Sequence, residues 1–169
     1  MGQVIHLAIP SGAYPATTDA ESVFLLAVRW WVEDYRQGAD PIPRLCETMR
    51  TAGAHDAAFA VDQLVAVVAH TVRQPISIHC PRCPHVSRDE AHLLHATSLV
   101  QAGESRMAER ALRTALLSAS GAEFALGPLQ GLGELFTEAR LFFRKRHVEE
   151  TRPPSDAVWF PPAADRSLH

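Results

Sequence analysis

The sequence predicts an all-α protein: a compact bundle of about six helices, with an extended N-terminal arm, a Cys-x-x-Cys knuckle between helices and a Pro-rich tail. Three observations carry that reading. Apolar residues recur at helical spacing through most of the chain between 18 and 148. Two such runs are preceded by a Ser/Thr-x-x-Glu capping box, Thr18 with Glu21 and Ser87 with Glu90. Glycines stand just beyond several runs, at Gly38, Gly53, Gly103 and Gly121. The organisation that follows is an arm over 1–17, one helical domain over 18–148 that includes a knuckle at 76–95, and a tail over 149–169.

The arm carries Pro10, Gly12 and Pro15, with 3–9 as a candidate short strand. The first helix is expected over 19–37, burying Val23, Leu26, Ala27, Trp30, Trp31 and Tyr35; aromatics so spaced fill a core or an interface. Asp40-Pro41 reads as an N-cap followed by proline at the first helical position. Leu45, Met49 and Ala52 share a face of the short helix that follows, with Cys46 beside it as a buried inert thiol. A helix over 55–73 places Ala58, Val61, Val65, Val68 and Val72 at helical spacing and is apolar all round at 64–69, so it is expected to be central. Pro75 ends it, and Ile76-Ser77-Ile78 leads as a short strand into the knuckle.

Three more helices are expected, over 88–101, over roughly 104–119 and over roughly 128–147. The last has Leu129, Leu132, Phe136, Ala139 and Phe143 on one stripe, with a helical turn at 123–126 before Gly127-Pro128. Arg140, Arg144, Lys145 and Arg146 then crowd its C-terminal end, where cations complement the helix dipole. Beyond Thr151, Pro153, Pro154, Pro161 and Pro162 bracket Trp159 and Phe160, which read as anchors for the chain's own groove or for a partner.

Ala96, Leu99, Gly103, Ala108, Leu112 and Ala115 stand where a tetratricopeptide hairpin places its small and apolar packing residues, and the segment from His92 to Ala115 resembles that repeat. The resemblance covers about one 34-residue unit. His92 and His95 replace the usual Trp and Leu. It implies a close-packed helical pair with His92 and His95 facing inward. One unit does not build a solenoid.

The chemistry lies between His79 and His95. Cys80 and Cys83 form a Cys-x2-Cys pair, and His92 and His95 sit three residues apart near the start of the next helix. Thiolates with imidazoles suit tetrahedral Zn²⁺. The expected metal ligands are therefore Cys80, Cys83, His92 and His95, with His85 and His79 as alternatives. The spacing is not that of the familiar zinc finger, which has a longer middle segment. Cys80-Pro81-Arg82-Cys83 also resembles the Cys-Pro-x-Cys of glutaredoxins, but the βαβ surroundings of that motif are absent and Pro84 follows at once. A zinc-deaminase signature fails because His55-Asp56-Ala57 lacks the required Glu and His79 stands where Pro is needed. No His-Glu-x-x-His, nucleophile elbow, phosphate loop or dinucleotide fingerprint is present.

At 169 residues the chain suits a single core. Its composition, 47% hydrophobic and 21% charged, suits a soluble globular protein. A net charge of −3 argues against strong non-specific nucleic-acid binding. Three cysteines make no disulfide framework and fit a reducing cytoplasm. No signal peptide is evident, and His6 stands where myristoylation needs Ser or Thr. The most apolar run, 23–32, contains Arg29 and is too short to span a membrane.

The resulting expectation is a small cytoplasmic helical adaptor or regulator, stabilised by structural zinc and acting on a protein partner. The alternative is a zinc-dependent hydrolase with an open metal position, using Asp89 or Glu90, or His55 or Asp56, as a base. Third in order is a nucleic-acid-binding regulator using Arg82, Arg88 and the basic end of the last helix.

Overall fold

The computed structural model describes residues 17–145 and the backbone of 158–160. Six helices lie among them: α1 (Asp19–Gln37), α2 (Ile42–Thr51), α3 (Ala57–Thr71), α4 (Arg88–Gln101), α5 (Ser105–Ala115) and α6 (Ala119–Glu138). Two short strands, β1 (Ile76–Ile78) and β2 (Val158–Phe160), pair antiparallel with Ser77 opposite Trp159. The arm up to residue 16 and most of the tail lie outside the described residues.

Local signals set most of the boundaries. Thr18 and Ser87 each close a complete capping box with the Glu three residues on. Gly38, Gly53 and Gly103 all adopt positive φ, the conformation that lets the chain leave a helix. The Asp40 carboxylate accepts the Ile42 N–H at 3.0 Å, so it caps α2 from one residue before Pro41.

The helices share one apolar core. α3 packs on α1, α2 and α6, while α4, α5 and α6 pack on one another. Of the tetratricopeptide-like offsets, Ala96, Leu99, Ala108 and Leu112 are buried between α4 and its neighbours, whereas Ala115 is half-buried and Gly103 exposed. β1 adds Ile76 and Ile78 to the same core, beside Val28, Val32, Leu64 and Leu93.

Two sequence expectations need correction. The last helix begins at Ala119, not at Pro128, and Pro128 lies inside it; the helix expected over 104–119 therefore stops at Ala115, and Gly121, expected beyond its end, lies inside the last helix. Ser118 starts it by accepting the Gly121 N–H at 3.1 Å. Proline at 128 can supply no bond to the Phe124 carbonyl, and Phe124 stands on the exposed face, where water can serve that oxygen. The helix stops at Glu138. Arg140 takes a left-handed conformation, with φ 57. Its N–H reaches the Thr137 carbonyl, and the Leu141 N–H reaches the Phe136 carbonyl at 2.8 Å. Phe143 is therefore off the helix, yet it still enters the core, stacked on Phe136 and edge-on to Phe24. Arg140, Arg144 and Lys145 decorate this non-helical segment rather than a helix end, and Lys145 pairs with Glu104 at 2.6 Å.

The second correction concerns α1. Leu26 and Trp30 are half-buried, and Tyr35 is exposed, stacked on Trp31. Arg44 lies over the Trp30 ring. Arg29, the charge within the apolar run over 23–32, is fully buried.

Candidate metal centre

Arg29 organises the knuckle. Its Nε and Nη2 form a bidentate pair with Glu90, at 2.7 and 2.9 Å, and neither side chain reaches solvent. Its remaining donors point into the loop: Nη1 donates to the Cys83 carbonyl and Nη2 to the His85 carbonyl, each at 2.7 Å. Glu90 holds the loop's two ends. Oε1 accepts the His79 N–H at 3.0 Å and Oε2 accepts the Ser87 N–H at 2.8 Å. Ser87 Oγ, besides capping α4, donates to the Ser77 carbonyl, and Asp89 accepts the Ser77 N–H at 2.7 Å. β1 thus leans on the first turn of α4, and the loop between them is tied at both ends and in its middle.

Within the loop, Cys83 N–H bonds the Cys80 carbonyl at 3.0 Å, a turn that sets the two cysteines on one tight bend. Cys80 is exposed and Cys83 half-exposed, both as free thiols. His85 is exposed. His79 is the opposite: it is 2% exposed, and neither ring nitrogen has a hydrogen-bond partner among the described residues. A buried imidazole with both nitrogens unfilled is costly, and such groups commonly mark an ion or water site.

The helical histidines take another place. His92 lines a polar groove of about 350 Å³ with Arg73, Arg88, Asp89 and Thr114. Burial and the Arg88 charge hold its imidazole below the ordinary pKa; Asp89 opposes them and His95 adds to them. His95 is half-buried one turn further along α4. Among the described residues no three His, Cys, Asp or Glu side chains are grouped to hold a metal ion, so the structure does not gather Cys80, Cys83, His92 and His95 at one point. What it brings together is the two cysteines on their turn, with His79 adjoining Cys80 in the chain.

Of the candidate bases, His55 and Asp56 are exposed and lie 3.4 Å apart, against each other, while the other two make contacts at the knuckle. Glu90 is consumed by Arg29 and the loop N–H groups, and Asp89 by the Ser77 N–H. Trp159 and Phe160 lie in β2, whose backbone pairs with β1 just before the knuckle. Sequence reading missed Arg29. A single charge inside an apolar helical run was its only signal, and the partner that explains it lies 61 residues away.

Fold and site together define a mostly helical bundle that spends a buried ion pair on fixing a dithiol loop. No protein-family model matches the chain, and neither a curated protein nor a solved structure does. No helix among the described residues is long and apolar enough to cross a membrane.

Proposed function

We propose that this protein is a non-enzymatic helical adaptor or regulator of the reducing cytoplasm, whose Cys80–Cys83 knuckle binds Zn²⁺ and which acts through contact with a protein partner. One observation carries the reading: a fully buried arginine holds the carbonyls on the cysteine loop while its Glu90 partner holds the loop's ends. Buried ion pairs contribute little net stability compared with apolar packing, so their use here fits a need for one loop conformation. A loop fixed from beneath, with thiols at its surface, suits a soft cation better than it suits hydrolysis, because Asp89 and Glu90 are both engaged elsewhere. The buried imidazole of His79, without a hydrogen-bond partner among the described residues, adjoins Cys80 in the chain.

The test is the metal content of protein purified without chelator, compared with Cys80→Ser and Cys83→Ser. Zinc is expected in the parent and lost in both variants. The helical circular-dichroism signal should survive in all three, because the core and the Arg29 clamp rest on protein contacts alone. Metal-free parent protein that neither gains zinc on titration nor changes its melt on zinc addition would overturn the reading.

A further inference from the structure

Zinc takes four protein ligands in a closed structural site. The knuckle presents two thiols at the surface, and no third His, Cys, Asp or Glu among the described residues is grouped with them. We propose that the other half of the coordination shell comes from a second copy of this chain, so that one Zn²⁺ is held by Cys80 and Cys83 of each of two molecules. The inference rests on the zinc reading above and adds its partner.

Three features of the loop favour a second copy as the occupant. The first is accessibility. Cys80, Arg82, Pro84 and His85 are exposed, so the bend offers an accessible edge that an identical edge can meet about a two-fold axis. The second is pre-organisation. Arg29 and Glu90 set the turn before any ion arrives, which reduces the ordering cost of bringing two loops to one metal. The third is charge. Zinc with four thiolates is a doubly negative centre, and each chain places one exposed cation, Arg82, between its two cysteines. Two copies then supply four thiolates and two arginines, which is neutral at the junction. Formation of the site releases the thiol protons to solvent and involves no change of oxidation state.

The experiment uses the full chain in a reducing, metal-free buffer. Zinc is titrated in while mass is followed by light scattering coupled to size exclusion, with metal content measured on the same fractions. The expected result is a doubling of mass at one zinc per two chains, reversal by chelator, and no doubling for Cys80→Ser or Cys83→Ser. Arg82→Glu, which leaves the clamp untouched, should weaken the zinc-dependent dimer at least tenfold at low salt. One zinc per chain on a monomer would overturn the shared site and leave the zinc reading standing; His79→Leu would then test whether the buried imidazole completes the shell. A dimer indifferent to chelator would also overturn the shared site. Absence of any zinc binding would overturn both.

Discussion

Arg29 and Glu90 meet as a two-pronged ion pair, closed to solvent on both sides, between the middle of α1 and the first turn of α4. Removing either partner leaves the other charge buried and uncompensated. Arg29→Met or Glu90→Gln is therefore expected to cost about 3–5 kcal/mol in urea unfolding. The double variant should not recover the loss in full, because the Cys83 and His85 carbonyls and the His79 and Ser87 N–H groups lose partners as well. Full recovery would mean that the loop is held by something other than this pair.

The two capping boxes make a matched comparison. Thr18→Ala removes a cap that also donates to the Phe142 carbonyl at an exposed site, and should cost about 1 kcal/mol. Ser87→Ala removes a cap at a buried site and frees the Ser77 carbonyl too, so its cost should exceed that of Thr18→Ala. The reverse order, measured by thermal or urea unfolding, would contradict the assigned role of Ser87.

Glycines along α6 are predicted to respond with opposite signs. A Cβ at Gly121 would overlap the Oγ1 and Cβ of Thr71, where α6 begins against the end of α3. Gly121→Ala should therefore destabilise by about 1–3 kcal/mol. Gly127 and Gly131 have open space at that position. Alanine at either should stabilise by about 0.5–1 kcal/mol. Urea midpoints of the three variants check the contrast.

Arg140 occupies the left-handed position that ends α6, a place where glycine has no steric penalty. Arg140→Gly should raise stability by about 1 kcal/mol, and Arg140→Val should lower it. A rise for valine in the unfolding midpoint would argue that the helix does not end there.

His92 makes stability depend on pH. Its folded-state pKa lies below the unfolded value of 6.5 through burial and the Arg88 charge. Between those two values the unfolded chain binds a proton that the folded chain does not, so stability falls as pH drops through 6.5 and levels off below the folded-state pKa. Above 6.5 the group contributes no slope. His92→Gln should flatten that part of the stability–pH curve, as read by urea midpoints at several pH values; an unchanged slope would place the titration elsewhere.

Much of the fold was legible because its signals are short-ranged. Thr18 with Glu21, Ser87 with Glu90, and the glycines at 38, 53 and 103 act within a turn or two of chain, and each does in the structure what its spacing predicts. Pro128 misled for the same reason. It is a strong local stop, but helix formation from Ser118 onward and core packing of Ala125, Leu129 and Leu132 on either side carry the helix through it. The Cys80–Cys83 pair was visible as a candidate site, while its expected companions His92 and His95 rest on helical spacing and on the inward face of the resembled repeat, neither of which says where a preceding loop folds.

The sequence by itself determined the helices, most of their ends and the presence of a dithiol bend, since those follow from contacts between residues a few positions apart. Tertiary structure alone decided that a charge inside an apolar stripe would become the bend's anchor. It also decided that Glu90 would serve as cap and counter-ion at once, because a guanidinium can be kept from water only where distant parts of the chain bring it a carboxylate and carbonyl oxygens.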